Sequence, residues 1–210
     1  MRLVTRIFLQ AAFLLLVSEC ATAQAPAVND AKMKWFHDAR LGIFIHWGIY
    51  SVDGIDESWS FYNGYISYPD YMKQLSGFTA SAYNPGDWAA LIKESGAKYA
   101  VITTKHHDGV ALWNTSAGDL NVVRKTPAAR DLVTPLCKAL VKNNIKVGTY
   151  FSLLDWSHPD YPNFTQKEKK YTSDTARWNR FTKFNFAQIR ELGEFQPRSL
   201  LVRWRLGTVG

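Results

Sequence analysis

Lys105-His106-His107-Asp108-Gly109 follows directly on the strand-like stretch 99–104, Tyr-Ala-Val-Ile-Thr-Thr. The run Leu41-Gly42-Ile43-Phe44-Ile45 leads in the same way into His46-Trp47-Gly48, and Asp155-Trp156 stands just beyond a third such run. A neutral imidazole donates from one nitrogen and accepts at the other, which suits a hydroxyl group. Trp47, Tyr50, Trp59, Tyr62, Trp113, Tyr150 and Trp156 surround these positions in sequence. Aromatic faces cover the apolar C–H patches of a sugar ring, so the combination fits carbohydrate. The same residues also fit a metal, with His46, the histidine pair and Asp108 or Asp155 forming a His/carboxylate set. Adjacent side chains on an extended strand point to opposite faces, which weighs against using both His106 and His107 as ligands. Asp108 reads as a cap on the turn made with Gly109. His37 and His158 fall outside both clusters and read as solvated or structural.

The elements that must position these groups follow from the apolar pattern. Residues 41–45, 99–103 and 146–151 are apolar without clean alternation, as in strands buried on both faces. Asn84-Pro85-Gly86-Asp87 opens a helix carrying Trp88, Leu91 and Ile92, with Gly96 as its stop. Asp131 opens another, with Leu132, Leu136, Leu140 and Val141 on one stripe and Asn143-Asn144 at its end. A third begins near Ser173-Asp174 and carries Trp178, Phe181, Ile189 and Leu192 before Gly193. Strands alternating with helices predict an α/β fold with a parallel sheet. No G-x-G-x-x-G follows the first strand, which argues against a doubly wound nucleotide-binding sheet. Long polar and aromatic loops leaving the strand ends favour a (β/α)8 TIM barrel, incomplete here at about three strands.

Composition narrows the class further. Arg2 and Arg6, the apolar run 7–17 and the small residues Ala21-Thr22-Ala23 match a signal peptide over residues 1–23. The apolar run is too short to span a bilayer, so no membrane span is expected in the mature chain. Secretion or a periplasmic location is expected, or a lysosomal one in an animal host. The formal net charge is +7, but residues 198–210 hold +3 of it and the segment 1–23 another +1. The remaining Lys and Arg are scattered and form no stripe, so nucleic acid is not an expected partner. Beyond Cys20 only Cys137 remains, in an apolar helical stretch, where it reads as a small packed hydrophobe. Asn114-Thr115-Ser116 and Asn163-Phe164-Thr165 are glycosylation sequons.

With these motifs stated, the chain is similar to the retaining α-L-fucosidases of glycoside hydrolase family 29. The resemblance rests on Trp35-Phe36 with Ala39-Arg40-Leu41-Gly42-Ile43-Phe44-Ile45-His46-Trp47-Gly48. It rests equally on Lys105-His106-His107-Asp108-Gly109 and on Gly148-Thr149-Tyr150-Phe151-Ser152-Leu153-Leu154-Asp155-Trp156. It runs over residues 34–197 and implies a secreted hydrolase of terminal α-L-fucose, acting on a fucosylated oligosaccharide or glycoconjugate without a cofactor or metal. In that family the matching strand-end histidines bind fucose hydroxyls, which implies that role for His46, His106 and His107. A Glu-Trp pair follows the first strand in the family. Here the segment reads Glu57-Ser58-Trp59, which implies Trp59 and, displaced by one residue, Glu57 as substrate-binding. Tyr150 matches a family tyrosine, which implies a substrate-binding role for it as well.

Retaining glycosidases use two carboxyl groups about 5–5.5 Å apart, a nucleophile and an acid/base. The family nucleophile is an Asp in a segment resembling Pro-Asp-(apolar)-Trp-Phe-Asp-Gly. This sequence passes Pro197 into Arg198-Ser199-Leu200-Leu201-Val202-Arg203-Trp204 and matches no further, so no catalytic residue is assigned within it. With one choice of synonymous codons, residues 198–208 read one base later encode Asp-Leu-Phe-Trp-Phe-Asp-Gly-Asp-Trp-Glu. Residues 198–210 are therefore expected to be a frameshifted tail. Sequencing the gene across Pro197 tests this. The expected domain is 24–197, the N-terminal part of the barrel, inactive by itself. The alternatives are a non-catalytic carbohydrate-binding remnant and a metal-dependent hydrolase.

Overall fold

The computed structural model describes residues 30–161 and 174–194. The expected leader, the Asn163 sequon and the expected tail lie outside the described residues. The chain divides into two units, 1–38 and 39–210. In the first, most of helix α1 (Asp30–Ala39) is found; Lys34 and Asp38 pair across one turn on its exposed side, and His37 is exposed as expected.

The second unit is built on three parallel strands, β1 (Gly42–Ile45), β2 (Tyr99–Lys105) and β3 (Lys146–Phe151), in the order β1-β2-β3. Gly42 pairs with Tyr99 and Tyr99 with Lys146, so the strands start level and also end close together. Spatial order follows chain order, whereas a doubly wound sheet reverses at a switch point. The expected bounds hold for β3; β1 begins one residue later and β2 runs two residues further than expected.

The connecting helices are α2 (Trp59–Tyr62), α3 (Tyr68–Met72), α4 (Pro85–Glu94), α5 (Val122–Lys125), α6 (Val133–Lys142) and α7 (Thr175–Glu194). Their starts are set by side chains that satisfy orphan amides. Asn84 Oδ1 accepts from the Gly86 and Asp87 amides at α4, and Asp131 Oδ1 accepts from Val133 and Thr134 at α6. Gly96 and Asn144 take φ of +83° and +61° just past those helices, as left-handed C-terminal residues do.

Helices α4 and α6 lie against each other, and α6 contacts β2 and β3. Ala89, Ile92, Leu132, Leu136, Cys137 and Leu140 meet Ala100, Ile102 and Val147 there. Full burial of one such leucine contributes about 1.5–3 kcal/mol. Two expected core positions depart from this. Leu91 is 68% exposed and Val141 44% exposed, because each apolar stripe is one residue narrower than the spacing suggested. Gly193 does not stop the last helix, which runs on to Glu194.

Strand β2 is buried from Ala100 to Lys105, whereas Phe44 on β1 is more than half exposed. Near its end β2 carries an irregularity. Thr103 pairs with Tyr150 and Lys105 with Phe151, so Thr104 is an extra residue on β2. Its Oγ1 donates to the Tyr150 carbonyl at 2.7 Å. A bulge re-aims the side chains beyond it. The residues so re-aimed are the histidines.

Candidate functional site

His46 directly follows β1, and His106 follows β2. The chain turns immediately: the Gly109 amide donates to the His106 carbonyl, and Gly109 takes φ +82°. His106 and His107 are therefore not on an extended strand, and their ring centroids lie 4.7 Å apart. The opposite-face objection does not apply. The His46 ring lies 5.1 Å from that of His106. Glu57, on the connection leaving β1, completes a trio: His46, Glu57 and His106 each bring one nitrogen or oxygen within 4.8 Å of the other two.

Each ring is held from behind. Ser58 is buried and places its Oγ 2.8 Å from His106 Nδ1, while the Asp108 amide donates to the same Oγ at 2.9 Å. His107 Nδ1 lies 2.7 Å from the Leu154 carbonyl oxygen, and the Trp156 amide donates to the His107 carbonyl at 2.9 Å. The Trp156 indole also stacks on the His107 ring, at 4.3 Å and 17°. Trp59, at 41% exposure, meets His107 and Trp156 edge-on and presents an open aromatic face. The Tyr150 ring stacks on His106 at 6.0 Å and touches Phe44.

Burial sets the protonation of the pair. Desolvation, helped by His107 and His46, holds His106 down to about 2. His107 is also lowered by burial, against the Leu154 hydrogen bond and Asp155. Both rings are neutral near pH 7 and so bear one donor and one acceptor each. Asp108 is pushed up to about 6 by burial, although Val110 N–H and Tyr71 Oη–H donate to it.

The aspartates weighed as metal ligands are used elsewhere. Asp108 caps its own turn at the Val110 amide, as expected, and is bound by Tyr71. Asp155 Oδ2 pairs with Lys105 at 2.9 Å, with both side chains buried. Asn185 Oδ1 and Gln188 Oε1 of α7 also accept from that ammonium. Burial pushes the Lys105 amine down while Asp155 pulls it up. Three acceptor oxygens need three N–H donors, which only the ammonium supplies, so the charged form fits this geometry. The potential metal set is therefore His46, Glu57 and His106.

Of the aromatic residues expected near the site, Trp113 is a core residue whose Nε1 donates to Glu191. Trp47 packs with Phe78, Tyr83 and Trp88. His158 is structural, accepting from the Asp160 amide and packing on Phe181 and Phe184. Sequence reasoning missed Ser58, Tyr71 and the Leu154 carbonyl. Only the fixed place of Ser58 between Glu57 and Trp59 could have signalled one of them.

The model of the alpha-L-fucosidase family matches residues 17–202 of this sequence. The chain belongs to the alpha-L-fucosidase family. The tissue alpha-L-fucosidase of Bos taurus is 39% identical over 142 residues, which cover 60% of this chain and 30% of that enzyme. A crystal structure of an alpha-L-fucosidase from Bacteroides thetaiotaomicron superposes with a TM-score of 0.71 at 34% identity, covering 81% of this chain and 39% of the other. Another structure of a fucosidase from that organism is a trapped covalent intermediate, with a TM-score of 0.70 at 34% identity, over 81% of this chain and 40% of the other. The chain spans about a third of the length of the curated relatives it matches.

Proposed function

We propose that this chain forms the fucose-binding wall of a retaining α-L-fucosidase and supplies the first three strands of its (β/α)8 barrel. One observation carries the reading: polar atoms of His46, Glu57 and His106 converge within 4.8 Å beyond the C-terminal ends of β1 and β2. That is the end at which barrel enzymes gather their chemistry. His46, His106, His107 and Glu57 hydrogen-bond the sugar hydroxyls, Trp59 covers an apolar face of the ring, and Tyr150 backs His106.

Retaining hydrolysis proceeds through a glycosyl-enzyme, with one carboxylate attacking and a second carboxyl protonating the leaving oxygen. Among the described residues Glu57 is the one carboxylate in the trio, since Asp108 and Asp155 are buried in other contacts. The wall recognises and orients the sugar, and the bond-breaking pair is not assembled among these residues. The substrate is a fucosylated glycan, and the leader pattern supports a location outside the cytoplasm, secreted, periplasmic or lysosomal.

The test is calorimetric titration of the 210-residue chain with L-fucose, alongside fucose release from an aryl α-L-fucoside. Binding without release is expected. No heat of binding at millimolar sugar would sink the recognition role.

A second reading, a metal-dependent hydrolase, draws on the same trio, because two imidazoles and a carboxylate match a known zinc set. It requires stoichiometric zinc in the purified protein and activity abolished by a chelator.

A further inference from the structure

Two neutral histidines side by side present one of several proton patterns to a ligand, and their rear contacts decide which. The Leu154 carbonyl oxygen, 2.7 Å from His107 Nδ1, can only accept. His107 Nδ1 therefore carries the proton and its Nε2 is a bare acceptor. Ser58 Oγ already accepts from the Asp108 amide at 2.9 Å, and its own proton needs an acceptor because the side chain is fully buried. His106 Nδ1 stands 2.8 Å away. Tyr71 Oη, which gives its own proton to Asp108, is a second acceptor within reach of Ser58. The assignment rests on the 2.8 Å contact with His106 Nδ1, and the NMR experiment below decides between the two. A proton given to Nδ1 by Ser58 leaves the His106 proton on Nε2. Neither Nε2 has a hydrogen-bond partner among the described residues.

We propose that the two rings are held as opposite tautomers, His106 offering an Nε2–H donor and His107 an Nε2 acceptor, with Ser58 as the positioning residue. Donor and acceptor stand on rings 4.7 Å apart. The pair selects a ligand edge that both accepts and donates, which is what a hydroxyl does. A fluorine accepts only and an ammonium donates only, so each fails one ring. That the hydroxyl is a sugar's rests on the function proposed above; the tautomers do not.

The experiment is nitrogen-15 NMR of the histidine side chains in the 210-residue chain, for the wild type, Ser58→Ala and Ser58→Thr. The wild type is expected to show His107 protonated at Nδ1 and His106 at Nε2. Ser58→Ala should leave His107 unchanged and turn His106 into a mixture of tautomers, and Ser58→Thr should restore the wild-type pattern. An Nε2-protonated His107 or an Nδ1-protonated His106 in the wild type overturns the proposal. A titration follows with L-fucose and with fucoses bearing fluorine in place of one hydroxyl at a time. At least one fluorinated sugar should bind about fivefold to tenfold more weakly. Equal binding by all of them overturns the selection. Absence of fucose binding with the expected tautomers sinks the sugar reading alone.

Discussion

Lys105 Nζ and Asp155 Oδ2 are 2.9 Å apart, with both side chains closed to solvent. The pair ties the end of β2 to the loop that carries Leu154 and Trp156, the two residues that hold His107. Lys105→Met would strand a buried carboxylate, and removing one partner of such a pair costs about 3–5 kcal/mol. Urea unfolding should show a loss of that size. The double change Lys105→Met/Asp155→Leu should recover much of it, since replacing both charges removes the uncompensated one.

Acid should destabilise the fold in a way that separates His106 from Asp108. The ordinary imidazole value is 6.5 and His106 is held at about 2, so the unfolded chain takes up a proton that the fold refuses. Its contribution is complete above 6.5 and is lost as pH falls towards 2, by about 1.4 kcal/mol per pH unit. His107, also lowered, acts in the same direction. Asp108 acts oppositely: raised from 3.8 to about 6, its contribution is present below 3.8 and is lost as pH rises through 6. Between those values it offsets one histidine. Unfolding measured over a pH series should show falling stability below 6.5, with a steeper fall for Asp108→Asn.

Gly109 should accept no side chain. A Cβ there would lie 1.9 Å from Ser157 Oγ and 2.6 Å from Asp155 Oδ1, at a φ of +82°. The left-handed conformation alone costs an alanine about 1–2 kcal/mol. Gly109→Ala should lower the thermal midpoint, and adding Ser157→Ala should recover only part of the loss, because the backbone term stays.

Substitutions on the open side of the site should weaken fucose binding and leave stability nearly unchanged. His46 is exposed and Glu57 half-buried. Losing a hydrogen bond to a charged group costs about 1.5–3 kcal/mol, so Glu57→Gln should weaken fucose binding roughly 10- to 150-fold by calorimetry. Trp59→Ala should weaken it less. Full affinity in both variants would remove these residues from the sugar wall.

The legible part of this molecule is whatever local chemistry dictates. Asn84 and Asp131 were readable as helix starts because a cap acts within three residues, and β3 was readable because past Lys146 it lacks the polar alternation of a half-exposed strand. The position of Glu57 was not. Its register in sequence looked displaced, but only the path of the loop after β1 shows that it reaches the histidines. Leu91 and Trp113 mislead in opposite directions, since periodicity gives a helical face but not its width, and aromatic residues fill cores as readily as sites. Ser58, Tyr71 and Asp108 meet only through contacts between residues far apart in the chain. The extra residue at Thr104 has no signature in composition, yet it lies where β2 hands over to His106.

Strand β2 is the only described strand bonded on both margins, to β1 along one and to β3 along the other. Its interior amides, from Ala100 to Thr103, should therefore be the last to exchange with deuterated solvent, while β1 and β3 open earlier at the margins that pair with no described strand. The histidine pair thus hangs from the slowest-breathing segment of the sheet. Local opening at the periphery would release the Ser58 and Leu154 contacts behind the rings before the segment that carries them.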